Sequence, residues 1–224
     1  MAGEGGEHGL LGKARGWQQV VRWAYVTGLR IWFRWGRSPA SWLAARLRPR
    51  RPWQPRAFAS LEEAAAWLST ALVWTSDPLR GALDLIPSLE NISYQLATWG
   101  QVRDDCDGLA FASAQVAAPF ADRSPDGSPQ CYIVSVLLDP LRVNVFHCAH
   151  VMTFFRREGR WRVISNHELF PEEWDSFLDA LTQNGYVRYW QSPVLFAEVR
   201  DHRLRFIASG TGERGLQRLG ARLG

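Results

Sequence analysis

The sequence predicts an α+β fold, and three features predict it. Helix-forming segments fill the first half of the chain. A plain polar loop at residues 121–130 (Ala-Asp-Arg-Ser-Pro-Asp-Gly-Ser-Pro-Gln) then separates them from segments with strand alternation. Within the first half, a helix of small residues is signalled at Cys106–Ala117, suited to packing closely inside the fold. Helices followed by antiparallel strands make α+β rather than α/β.

Taken in order, residues 1–12 are Gly-rich and are expected to lack structure. From Trp17 onward, Val20, Val21, Ala24 and Gly28 fit a helical stripe, which degrades at Ile31-Trp32-Phe33 into a pattern with no single face. A short helix is expected over 41–47. The Pro/Arg run 48–56 reads as an extended linker and domain boundary. Ser60 as N-cap with Glu63 at the capping-box position opens a helix through Val73. Residues 74–100 read as loop with helical pieces, and Asp104 or Asp105 caps the helix from Cys106, which Pro119 ends. Strands are expected at 131–138, 142–146, 150–155 and 161–165, with Glu158-Gly159 as the turn joining the last two. A helix at 171–181, a hairpin of 194–199 with 204–207, and a loose Gly/Arg tail from Gly210 complete the reading. The expected organisation is a basic Trp/Arg-rich arm and linker (1–56), one main domain (57–209) and a flexible tail (210–224).

Charge divides the chain in the same place. Residues 1–56 hold eleven Lys/Arg against Glu4 and Glu7, while residues 57–224 are mildly acidic. Six of the twelve tryptophans lie in the first 53 residues. Such an arm can lie on a membrane surface, contact nucleic-acid phosphates, or pack its tryptophans on the domain or on another protein. Nucleic acid is the least favoured, because no recognisable binding fold accompanies the arm. Three cysteines (Cys106, Cys131, Cys148) do not suggest a disulfide framework. The start has no basic and apolar run of a signal peptide, and no window approaches 18 uncharged apolar residues. A cytoplasmic or virion-associated protein is expected.

A thiol nucleophile needs an accessible sulfur, a base within reach and a group that orients the base. Cys106 stands at a helix N-terminus, whose dipole favours thiolate. Asp104, Asp105 and Asp107 argue against burial of Cys106 but raise a thiol pKa. If Phe155 and Trp161 flank the 156–160 loop, His150 falls opposite Asn166, whose amide can orient the ring. Cys131 and Cys148, inside apolar strand patterns, read as core. His147 and His167 compete with His150, and His167 reads as surface. Cys/His spacing does not support a metal site, and no cofactor is expected. A second oxyanion donor, beside the Cys106 amide, could come from Gln95, Trp99 or Gln101.

The stretch Trp74-Thr-Ser-Asp77-Pro78…Asp84…Trp99-Gly-Gln-Val-Arg-Asp-Asp-Cys106-Asp107-Gly-Leu-Ala resembles the nucleophile region of bacterial and phage transglutaminase-like cysteine proteinases. His150-Val-Met-Thr-Phe-Phe-Arg-Arg-Glu-Gly-Arg-Trp161-Arg-Val-Ile-Ser-Asn166 is similar to that family's His strand, Gly turn, Trp and final acidic position, with Asn166 where Asp is usual. Papain-like proteases use Asn in this role. The resemblance covers roughly residues 60–170 and implies a papain-like/transglutaminase-like fold, with the catalytic Cys at the N-terminus of a central helix packed on an antiparallel β-sheet. It implies a cysteine peptidase or amidase: Cys106 the nucleophile, His150 the base, Asn166 the orienter, a peptide or other amide-bearing compound the substrate. Transglutaminase acyl transfer and a non-catalytic interaction module of the same fold are the alternatives.

Overall fold

The first described helix lies against a six-stranded antiparallel sheet. The structure, a computed structural model, describes residues 16–75, 85–144 and 147–224, with backbone alone at 34, 37 and 38. The expected disorder of 1–12, the acidic positions Asp77 and Asp84, and the last two residues of the expected 142–146 strand lie outside the described residues.

Helix α1 (Gly16–Ile31) passes through one π-helical stretch (Trp32–Gly36) into α2 (Arg37–Leu47). The arm is fastened to the body by one stripe of α1. Arg22 grips Asp139 through Nε and Nη2, Tyr25 meets Cys148, and Val26 and Phe33 are buried. These positions recur at helical spacing, so one face alone is used. The linker is fastened as well: the Asn91 side-chain amide donates to the carbonyls of Ala45 and Pro49 at 3.2 and 2.9 Å.

Helix α3 (Leu61–Ala71) starts as expected: Ser60 Oγ accepts from the Glu63 amide at 3.2 Å, and Glu63 accepts from the Ala59 amide at 2.8 Å. Strand β1 (Leu72–Trp74) pairs in parallel with β2 (Val102–Asp104), and α4 (Leu89–Trp99) crosses between them, closed by Gly100 at φ 70°. The next element, α5 (Cys106–Ala117), carries the bounds expected from the sequence, with Asp105 as its N-cap. Beyond it come β3 (Cys131–Leu138), β4 (Ala149–Arg157), β5 (Arg160–Ser165), β6 (Glu168–Leu169), α6 (Phe177–Gln183), α7 (Gly185–Trp190), β7 (Val194–Asp201), β8 (Phe206–Thr211) and α8 (Gly212–Leu223). The sheet order is β6-β5-β4-β3-β7-β8, antiparallel throughout.

Strand alternation sorts the core into two layers. Ile133, Val151, Phe155 and Ile164 join Leu109 and Ala114 of α5 on one face. Val134, Met152, Phe154 and Val163 join Phe177 of α6 and Leu216 and Leu219 of α8 on the other. Helix α5 therefore lies between the sheet and the α3 layer, which makes it the central helix of the fold.

The structure differs from the expectations at several places outside the site. Residues 142–144 form no strand; the Arg142 and Val143 amides turn back onto the Asp139 carbonyl at 2.9 and 3.0 Å. The expected 171–181 helix begins at Phe177, behind the Ser176 cap, and a second short helix follows it. The tail expected to be flexible is α8, with Leu216 and Leu219 buried and the Gly224 carbonyl accepting from Trp161 Nε1 at 2.7 Å. Its glycines permit close packing: a Cβ on Gly210 would stand 2.5 Å from the Gly215 carbonyl oxygen, a backbone atom. Gly210→Ala is therefore expected to lower unfolding free energy by about 1–3 kcal/mol, measured by urea denaturation.

Candidate active site

The site is built on the first turn of α5 and the start of β4. Asp105 Oδ1 accepts from the Asp107 amide at 3.1 Å, and Asp104 Oδ1 accepts from the Asp105 amide at 3.0 Å. Asp104, Asp105 and Asp107 are all buried, so three carboxylates surround the positive end of the helix. Gly108 makes this possible, because a Cβ there would stand 2.5 Å from Asp104 Cγ. Cys106 is half-buried, whereas Cys131 and Cys148 are buried. Burial raises the thiol pKa of Cys131, with the Asp201 charge adding to it. Burial also raises that of Cys148, against the hydrogen bond it shares with Tyr25. Both stay thiols at neutral pH.

Helix α5 runs alongside β4 in the same direction. The Thr153 hydroxyl donates to the Ala110 carbonyl at 2.8 Å and meets Ser113 Oγ at 2.7 Å; Cys131, the cross-strand partner of Phe155, lies against the Ala114 carbonyl at 3.6 Å. Following both elements back from that junction, the Cys106 end of the helix and the His150 end of the strand lie toward the same end of the sheet. Tyr186 of α7 connects them electrostatically. Its ring lies 4.4 Å from the His150 ring, and burial followed by the Cys106 charge raises its phenol pKa.

His150 is buried, and its Nε2 meets Ser165 Oγ at 2.9 Å. Desolvation lowers its pKa to about 4, against the opposing charge of Asp107. The roles of donor and acceptor in that bond follow the tautomer; in the one that gives Nε2–H to Ser165, Nδ1 is the basic nitrogen.

The hairpin register differs from the one the sequence suggested. Glu158 and Gly159 form a two-residue turn with φ of 54° and 79°, so Arg157 pairs with Arg160, Arg156 with Trp161 and Met152 with Ser165. Phe155 consequently faces Arg162 rather than Trp161. The ladder ends at Met152, short of His150, and Ser165 rather than Asn166 meets the imidazole. Asn166 ends the strand at φ 53°, a left-handed conformation that Asn tolerates, and its Oδ1 is buried with no hydrogen-bond partner. Alternation also sets His150 on the face of Met152 and Phe154, whereas α5 covers Val151 and Phe155. His150 and the α5 helix that carries Cys106 thus belong to opposite faces of the sheet.

The remaining sequence candidates are occupied elsewhere. Gln95 Oε1 accepts from the Arg103 amide at 2.8 Å, and Gln101 Nε2 donates to the Thr70 carbonyl at 3.3 Å, so both glutamines brace the β1–β2 pair. Trp99 stacks edge-on against Tyr94. His147 stacks on Trp190, and His167 is exposed. Ser165 and Tyr186 are the site residues that sequence reasoning missed. The only local signal for Ser165 was its place one residue before Asn166, and Tyr186 arrives from a helix without any motif. Among the described residues, no group of three or more His, Cys, Asp or Glu side chains could hold a metal ion, and no helix is long and apolar enough to cross a membrane.

No family model, no curated protein and no solved structure matches the chain.

Proposed function

We propose that the chain is a thiol-dependent hydrolase, a cysteine peptidase or amidase of papain-like/transglutaminase-like type. The observation that supports this most is Cys106 itself: the half-buried cysteine of the three, at the first residue of the central helix, with a buried neutral imidazole and Tyr186 beside that end of the sheet. In this reading the thiol gives its proton to His150 Nδ1, directly or through one water, and the sulfur adds to the carbonyl carbon of an amide. The Cys106 amide is one donor to the oxyanion. The C–N bond breaks, the amine leaves with the proton from His150, and water hydrolyses the thioester through the same imidazole. Ser165 holds Nε2, and Asn166 presents an unsatisfied acceptor at the strand end to steady the ring or the substrate. With an amine in place of water, the same steps would transfer the acyl group.

Hydrolysis of a fluorogenic peptide-amide library by the full chain tests this. Cys106→Ser and His150→Ala are each expected to lower the rate by roughly 10²–10⁴-fold. Hydrolysis that survives in Cys106→Ser would overturn the assignment.

The placement of His150 on the far face of β4 favours a second reading, a non-catalytic interaction module in which Cys106 is structural. It requires an unreactive Cys106 thiol, and the two readings separate on that property.

A further inference from the structure

Helix α1 is apolar on the side that does not touch the body. With Arg22, Tyr25, Val26, Leu29 and Phe33 turned inward, the helical period sends Trp17, Val20, Ala24, Thr27 and Ile31 to the opposite side. Trp17 is 58% exposed, Val20 63%, Trp23 69% and Ile31 58%. The charges of α1 are Arg22, which is bonded to Asp139, and Arg30, whose guanidinium lies 5.9 Å from the Phe196 ring. Apolar residues on two opposite sides of one helix ordinarily call for two buried faces, and α1 has a single face covered. Beside this face Ile31, Trp35 and Phe206 share a cleft of about 490 Å³ with Arg30, Glu198 and Ser209.

Charge selects what this face meets. No Asp or Glu lies between Glu7 and Glu62, a stretch holding eleven Lys/Arg. A second copy would set one basic, acid-free segment against another. A nucleic acid would answer the arginines but offers no apolar phase for Val20 and Ile31. Tryptophan on an apolar helix face within a basic, acid-free segment matches the boundary between headgroups and acyl chains, where anionic lipid answers the positive charge. We propose that α1 docks the protein on an anionic bilayer surface, lying in the interface plane with Trp17, Val20, Trp23 and Ile31 immersed and Arg22 keeping the helix on the body.

Co-sedimentation of the full chain with vesicles tests this, comparing phosphatidylcholine alone with an equal mixture of phosphatidylcholine and phosphatidylglycerol. Partition onto the mixed vesicles is expected. The charge-preserving pair Val20→Gln/Ile31→Gln should weaken it by roughly tenfold or more, since the lost burial is apolar. Trp17→Ser/Trp23→Ser gives an independent second variant, and thermal melting checks that each is folded. Absence of partition would overturn the proposal, as would partition that both variants leave unchanged, which would mean adsorption by charge alone. A dimer that the same variants dissociate, without vesicle binding, would assign the face to a second copy instead.

Discussion

Arg22→Ala is expected to lower the unfolding free energy by about 3 kcal/mol, the low end of what breaking a buried ion pair costs. Asp139 is 1% exposed, and Arg22 Nε and Nη2 take both of its oxygens, with Nη2 at 2.5 Å from Oδ2. Burial opposes ionisation of Asp139. Arg22, the Leu141 amide and Arg142 nonetheless hold its carboxyl below the usual range. Removing the guanidinium leaves a carboxylate that water barely reaches, with the half-exposed Arg142 3.9 Å away as the remaining cation. Asp139→Asn is expected to cost less, because Arg22 is 24% exposed and can turn into solvent. Equal losses in the two variants, measured by urea unfolding at pH 7, would contradict this asymmetry.

Acidification is expected to remove a further contribution, of about 3 kcal/mol, through His150. Its pKa is about 4 in the folded chain against 6.5 for an unperturbed imidazole, and each unit is worth about 1.4 kcal/mol. Between those values the unfolded state binds more protons than the folded one, so stability falls as pH drops from 6.5 toward 4. Above 6.5 the ring is neutral in both states and the effect vanishes. Asp139 acts in a separate window, below its ordinary value of 3.8, because its pKa is depressed and its stabilisation is lost only as it takes up a proton. His150→Gln should therefore flatten the stability profile between pH 6.5 and 4 while leaving the steeper acid limb. A wild-type profile already flat across that window would contradict the burial of a neutral imidazole.

What the sequence made legible were the locally coded elements. The bounds of α5 follow from an Asp cap and a run of small residues, and those of β3 from its apolar pattern. The Ser60–Glu63 start of α3 is likewise a matter of neighbours. Elements held by distant partners were less legible. The Glu158-Gly159 turn stands where the sequence put it, but its tight geometry rests on Asp122, 36 residues earlier, which accepts from the amides of both Glu158 and Gly159 at 2.9 Å. That turn shifts the hairpin by one residue and brings Ser165, not Asn166, to the imidazole. Helix α8 carries glycines that argue against a helix, yet they let it approach β8 and Leu178. Tyr186 reaches His150 only through the tertiary packing of α7, whose Asn184 cap is visible in sequence and whose destination is not.

The proposed chemistry rests on Cys106 having a thiol that His150 can deprotonate. Its most direct measure is the rate of Cys106 alkylation by iodoacetamide against pH, read by mass spectrometry in wild type, His150→Ala and Ser165→Ala. Cys131 and Cys148 are buried and serve as internal references. The account predicts labelling of Cys106 well ahead of both at pH 7, slowed by His150→Ala and altered in its pH profile by Ser165→Ala, which frees Nε2. Labelling that climbs only near the ordinary thiol pKa of about 8.5 and is indifferent to both substitutions would contradict it. Cys106 would then be a helix-start cysteine without a base.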